Sequence, residues 1–310
     1  MMSLLRGVFL KASESVWLRE HLSQRGFLRR SMSRFMPGEH LEDALETAKR
    51  LSSNGIFSVL THLGENVHDP SAADEVTRGY VDALQQIREA DMSAEISLKL
   101  TQLGLDLSAE LCRSNLLRIV EASSTESTVW IDMEHSPYVD VTLDIYRDVH
   151  EKHRNTGVCL QAYLFRTEKD LQSLIPLGPR IRLVKGAYNE PPEISFAEKK
   201  DVDENYFSLA QILLGPSSRS VHTRAALATH DRRLVRRICE WAAGQGIARE
   251  QIEFQMLYGI QGVEQLRLAR AGYRSEVLIS YGSYWFPWFM RRLAERPANV
   301  LFVAQNIFTR

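Results

Sequence analysis

An alternation repeated eight times limits most strongly what this chain can fold into. Short apolar, β-branched runs occupy residues 56–62, 94–100, 128–133, 157–163, 180–186, 224–230, 252–258 and 275–281. After each comes a segment whose apolar residues recur at helical spacing: 70–90, 107–122, 138–153, 167–175, 201–213, 231–245, 260–271 and 283–296. A helix between two strands carries the chain back to where it began, so consecutive strands run parallel. Eight such units predict an α/β protein, a distorted (β/α)8 TIM-type barrel with short N-terminal helices. An open doubly wound sheet is the alternative, but no glycine-rich phosphate loop follows the first run. The expected organisation is a helical segment over residues 1–38 and a barrel catalytic domain over 39–310.

Composition narrows the function classes. The chain has 310 residues, 44% hydrophobic and 25% charged, with a net charge of −1. That composition supports a large core and gives no basic excess for nucleic acid. Three distant cysteines, Cys112, Cys159 and Cys239, show no metal spacing and suit a reducing compartment. No apolar run approaches the roughly 18 residues of a membrane span. The Arg- and Ser-rich N-terminus has the composition of a transit peptide, but Glu14 and Glu20 break that pattern, and short amphipathic helices are expected instead.

In a barrel of this kind the chemistry sits at the C-terminal strand ends. Those positions hold His62, Lys99, Asp132, Met133, Glu134, Gln161, Arg182, Lys185, Thr229, His230, Asp231, Gln255, Tyr258, Ser280 and Tyr281. Singly, each could point to a rim or cap a helix. Together, Lys99, Asp132, Arg182 and Lys185 predict a mostly positive mouth suited to a carboxylate or phosphate, because inward charges need partners or a ligand. No metal motif and no nucleophile elbow is present, so no metal site is expected. The long segment 187–200 after the fifth run reads as a functional loop. Near the C-terminus, adjacent Arg291 and Arg292 follow Trp288 and precede Glu295, which lies within ion-pair reach of both. Two readings stay open there: a solvated amphipathic helix, or a paired-guanidinium clamp beside an aromatic wall.

The motifs "LGEN", "ISLKL", "WIDME", "LQAY", "RLVKGAY", "ATHD", "EFQMLYG" and "MRRLAERPAN" occur in an order that resembles the proline dehydrogenase family, from about residue 35 to the C-terminus. "RLVKGAY" with "MRRLAER" is the most specific pair. The resemblance implies a FAD-dependent oxidoreductase acting on CH–NH groups. It would convert L-proline, or a closely related carboxylate-bearing secondary amine, to the cyclic imine Δ1-pyrroline-5-carboxylate by hydride transfer to flavin N5. It further implies that Lys99, Arg291 and Arg292 hold the substrate carboxylate and that Asp132 and Arg182 sit at the reacting centre. Met133, Gln161, Lys185, Gly186, Ala187, Tyr188, Thr229, His230 and Gln255 would contact FAD. Glu65 would pair with Arg291 as a gate, and Glu295 would brace the arginine pair. A quinone acceptor, transient peripheral membrane contact and a bacterial cytoplasmic location are implied as well.

Two positions depart from the family pattern. Leu278, in "VLISYG", and Trp288 stand where tyrosines are usual. The clamp and cofactor site look intact while the ring pocket looks remodelled, so a different amine, hydroxyproline or a hydrazine-type substrate is the alternative. Further competing readings are a Schiff-base lyase using Lys99 or Lys185 and a non-enzymatic barrel binding an anionic ligand.

Overall fold

A computed structural model describes residues 32–64 and 67–295, the last five as backbone only. The expected N-terminal helices fall on residues that, up to 31, lie outside the described ones, as does Glu65. The described chain begins its regular structure with helix α1 (Leu41–Ser52) and then alternates β1 (Phe57–His62), α2 (Pro70–Glu89), β2 (Ala94–Leu98), α3 (Ala109–Ala122), β3 (Val129–Ile131), α4 (Val139–Lys152) and β4 (Thr156–Gln161). It continues with α5 (Thr167–Leu174), β5 (Arg180–Val184), α6 (Lys199–Leu214), α7 (Pro216–Ser220), β6 (Arg224–Ala228), α8 (Arg232–Gly244), β7 (Glu253–Leu257), α9 (Gly262–Arg270), β8 (Arg274–Tyr281) and α10 (Trp285–Glu295).

The eight strands pair in sequence order and close, β8 running parallel to β1 with Val59 opposite Leu278. All eight expected strands form, each within two or three residues of its expected bounds. The open-sheet alternative is therefore excluded. The strands are buried on both faces, which is why they read as near-continuous apolar runs rather than as alternating ones. Helix starts follow ordinary capping chemistry. Asp69 accepts from the Ala72 N–H at 2.9 Å with Pro70 at the first turn of α2, and Asp231 accepts from the Arg233 N–H at 3.1 Å ahead of α8.

The barrel is distorted in one definite way. Helix α1, which the alternation did not predict, packs against β1 and β8, the outer position that the last helix of a regular barrel fills. Its Ala44 and Ala48 are buried there. Helix α10 instead builds a separate apolar cluster, in which Trp285, Phe286, Phe289 and Met290 pack on Met32, Phe35 and Met36. The Gly282 N–H donates to the Glu39 carbonyl at 2.9 Å, and the Trp285 indole N–H donates to its carboxylate at 3.2 Å. These contacts bring Trp288 over the barrel mouth.

Inside, the barrel departs from the usual apolar filling. Trp130 occupies the centre with Val59 and Ala226. Room for it comes from Gly157 on the neighbouring strand, where a Cβ would lie 2.5 Å from the indole ring. Below Trp130 lies a buried charged layer; above it the polar mouth opens.

Candidate active site

The mouth holds a cavity of about 480 Å3. The period of two along a strand decides what lines it. From β2 and β3 come Lys99, Asp132 and Met133; from β4, Cys159 and Gln161; from β5 and the loop after it, Arg182, Val184, Lys185, Gly186, Ala187 and Tyr188. The strands β6, β7 and β8 supply Thr229, His230, Asp231, Gln255, Leu278 and Ser280, and Trp288 reaches in from α10. Of the strand-end positions expected from the sequence, Glu134, Tyr258 and Tyr281 do not line this cavity, whereas every substrate, catalytic and cofactor residue implied by the family resemblance whose side chain is described does. Arg291, Arg292 and Glu295 lie on α10, but their side chains are outside the described set, as is Glu65.

Arg182 is the most constrained charge. Its Nη1 donates to Ser97 Oγ at 2.7 Å and to Asp132 Oδ1 at 3.0 Å, its Nε to Gln255 Oε1 at 2.6 Å, and it stacks 4.7 Å over Trp130. Its buried Nη2 has no partner among the described residues. Gln161 shows the converse. Its Nε2 donates to the carbonyls of Met133 (3.3 Å) and Glu134 (3.2 Å), which turns Oε1 away from them, and that buried oxygen also has no partner among the described residues. One donor and one acceptor at the same buried mouth are what a flat heterocycle bearing both kinds of group satisfies.

A second group sits at the rim. Lys185 bonds Asp203 and, at 3.0 Å, Asp231; Lys199 bonds Asp203 and, at 3.1 Å, Asp231. Burial alone would raise the Asp231 pKa, but hydrogen bonds and charge from the two lysines carry it well below the ordinary carboxylate value. His230 accepts the Leu257 N–H at Nε2 (2.9 Å), so in this arrangement its proton is on Nδ1. His230 and Asp231 thus point to different partners, as adjacent residues at a strand end do. Burial raises the Glu134 pKa against the opposing charge of Lys99, and its carboxylate accepts the Thr101 N–H at 3.2 Å and the Thr101 hydroxyl at 2.9 Å. Burial pushes the Cys159 thiol up to about 12, so it is no nucleophile.

Gly186 turns the chain out of β5 at φ +111°, a conformation that favours glycine, and a Cβ there would fall 2.2 Å from the Tyr163 ring. The long loop that follows is anchored across the barrel. Glu190 accepts from the Ser136 N–H (2.8 Å) and hydroxyl (2.6 Å), and the Tyr188 ring lies tilted by 44° against His135 with centroids 4.0 Å apart. Two important neighbours escaped the sequence reading, Ser97 and Trp130. Each lies two residues before a residue that was singled out, Lys99 and Asp132, so strand parity was the available signal.

Residues 44–305 match the family described as proline dehydrogenase. Over 309 residues, 99% of each chain, the sequence is 38% identical to proline dehydrogenase 2 of Bacillus subtilis subsp. natto. This chain belongs to the proline dehydrogenase family. Proline dehydrogenase of Deinococcus radiodurans is 35% identical over 281 residues, 88% of this chain and 89% of that one. The crystal structure of proline utilization A from Bdellovibrio bacteriovorus, inactivated by N-propargylglycine, matches with a TM-score of 0.81 at 22% identity, over 94% of this chain and 36% of that one. That last likeness concerns the fold. Proline dehydrogenases are flavin-dependent, and Arg182 Nη2 with Gln161 Oε1 fits a flavin ring at this mouth.

Among the described residues, no helix is long and apolar enough to cross a membrane.

Proposed function

We propose that this member of the proline dehydrogenase family oxidises L-proline to Δ1-pyrroline-5-carboxylate with FAD as its cofactor and a quinone as the final acceptor. The observation that carries the reading is the presence of a guanidinium nitrogen on Arg182 and an amide oxygen on Gln161, both buried and both without a partner among the described residues, at the mouth of a family-matched barrel. When bound, FAD supplies the two-electron acceptor for the hydride from the ring carbon beside nitrogen. Met133, Gln161, Lys185, Gly186, Ala187, Tyr188, Thr229 and His230 hold it.

The chain's own residues do the rest. Lys99, Arg291 and Arg292 bind the substrate carboxylate, each charged hydrogen bond contributing about 1.5–3 kcal/mol. The carboxylate clamp fixes the ring so that its C–H faces the acceptor, which makes catalysis mainly a matter of orientation. Arg182, braced by Asp132 at 3.0 Å, places positive charge where negative charge accumulates on reduction. Glu65 closes over the bound ring by pairing with Arg291, and Glu295 braces the arginines. The amine must lose its proton before hydride leaves, so turnover rises with pH through the amine's titration.

One observation supports a second substrate reading. Leu278 and Trp288 line the cavity where tyrosines are usual, and beside them the buried Ser280 hydroxyl has no partner among the described residues. A ring bearing its own hydroxyl satisfies it, so hydroxyproline or another amine is the alternative. The test is product analysis with L-proline and with hydroxyproline, in the presence of a quinone. A cyclic imine from L-proline supports the first reading. An imine from hydroxyproline alone transfers the function to the second.

A further inference from the structure

The buried charged layer beneath the mouth is tied to Arg182 at two points. The first is the Gln255 amide, which donates through Nε2 to Glu253 Oε1 and to Glu276 Oε2, both at 2.7 Å. The Glu253 carboxylate, which burial alone would protonate but Arg224 holds ionised, and the Glu276 carboxyl, whose pKa burial and the charge of Glu253 raise, both face the amide nitrogen, so Oε1 is turned toward Arg182 Nε, 2.6 Å away. The second is Trp130, with Arg182 4.7 Å over one part of its ring system and Arg224 at 5.3 Å. Arg224 closes the arrangement from below. It bonds Glu253 at 2.8 Å, Glu276 at 3.0 Å and Glu95 at 2.5 Å, and Glu95 accepts the Trp130 indole N–H at 2.7 Å. Both of Gln255's polar atoms are therefore engaged inside the barrel, which leaves it a poor cofactor ligand despite its place on the cavity wall.

We infer that Gln255, Glu253 and Glu276 are positioning residues: the carboxylates of the barrel floor, acting through the Gln255 amide, set the tilt of the Arg182 guanidinium and so the direction in which its unpartnered Nη2 meets the flavin. The inference rests on the reading of Arg182 as the group facing that cofactor. Held at Nη1 alone, by Ser97 and Asp132, a guanidinium can still pivot about that edge. The Nε bond to Gln255 and the indole face remove that freedom. A buried ion cluster of this kind is not a source of net stability, because desolvation offsets the Coulombic gain. What it gives the barrel is a fixed geometry, and the geometry is delivered to one site side chain.

Glu276 is the decisive residue to change, because it is completely buried and takes no part in lining the cavity. In the flavin-loaded enzyme, Glu276→Gln keeps its oxygen toward Arg224 and Arg274, which donate to Glu276 Oε1, and so turns an amide nitrogen on Gln255 Nε2, donor against donor, which displaces Gln255 from its place under Arg182. The expected result is flavin reduction by L-proline slowed roughly tenfold or more. The proline KM stays within about twofold, flavin stoichiometry is unchanged and the flavin reduction potential is lowered, because the positive charge is misplaced. Arg154→Ala, on the same end of the barrel but outside the cluster, serves as the control and leaves all four unchanged. If Glu276→Gln does not fold, Gln255→Met decides, since it leaves the floor carboxylates paired with Arg224 and is expected to give the same split. Wild-type reduction rate and potential in the folded variant overturn the inference. A wild-type protein that takes up no flavin, or whose flavin no amine reduces, is a failure of the proposed function instead.

Discussion

At the scale of single residues, the mouth is governed by which polar atoms are satisfied and which are left over. Arg182 makes three hydrogen bonds from two of its nitrogens, and the third nitrogen has no partner among the described residues, which makes it the clearest target. Arg182→Met is expected to slow flavin reduction roughly 10²–10³-fold, the usual effect of losing one preorganised charge-stabilising donor, with flavin still bound. Rapid-mixing absorbance at the flavin band measures it, and an unchanged rate contradicts the role. Leu278→Tyr restores a hydroxyl to the ring pocket. One hydrogen bond of about 1.4 kcal/mol corresponds to a tenfold gain in kcat/KM for L-proline. No gain, or a loss, counts against the remodelled-pocket reading. Much of this site was legible because charged residues in strands are unusual. Lys99, Asp132, Arg182 and Lys185 announced themselves by being polar in apolar runs, and all four line the cavity. Ser97 and Trp130 did not, because a serine or a tryptophan in a strand is unremarkable until its neighbours are known. The orientation of Gln255 was not readable at all, since it depends on Glu253 from its own strand and Glu276 from the next.

At the scale of elements, local signals fixed the strands and helices, while their placement depended on tertiary packing. The alternation led to eight strands and to the helices between them, and the structure contains each. It gave no sign that α1 takes the outer position beside β1 and β8 while α10 turns over the mouth, because both helices are amphipathic and either could pack there. Two predictions belong here. Gly157→Ala puts a methyl group against the Trp130 ring and is expected to cost about 1–3 kcal/mol, read as a lowered thermal midpoint. The link between the start of α8 and α6 is sensitive to acid. Asp231, with its folded pKa depressed by Lys185 and Lys199, contributes stability that is fully present above the ordinary carboxylate value near pH 4 and is lost as pH falls toward the depressed value. Asp231→Asn is therefore expected to melt earlier than the wild type at neutral pH, with the gap narrowing below about pH 4. A gap that stays constant with pH contradicts this account.

At the scale of the whole molecule, a closed parallel barrel sets charge in two layers around one indole. The upper layer is open to a ligand, and in the lower one the charges compensate one another, with Arg224 and Arg274 reaching the opposite end of the barrel. Family membership was legible in the order of eight short motifs, and the fold that carries them was legible in their spacing. Substrate choice was less so, because it depends on Leu278, Ser280 and Trp288 acting together on one ring. The central claim is that L-proline delivers its electrons to a flavin at this mouth. The most direct measurement is the anaerobic visible spectrum of the purified, FAD-loaded protein before and after L-proline is added. An oxidised flavin spectrum that bleaches is the expected result. A protein that takes up no FAD, or a bound flavin that stays oxidised in saturating L-proline, contradicts it.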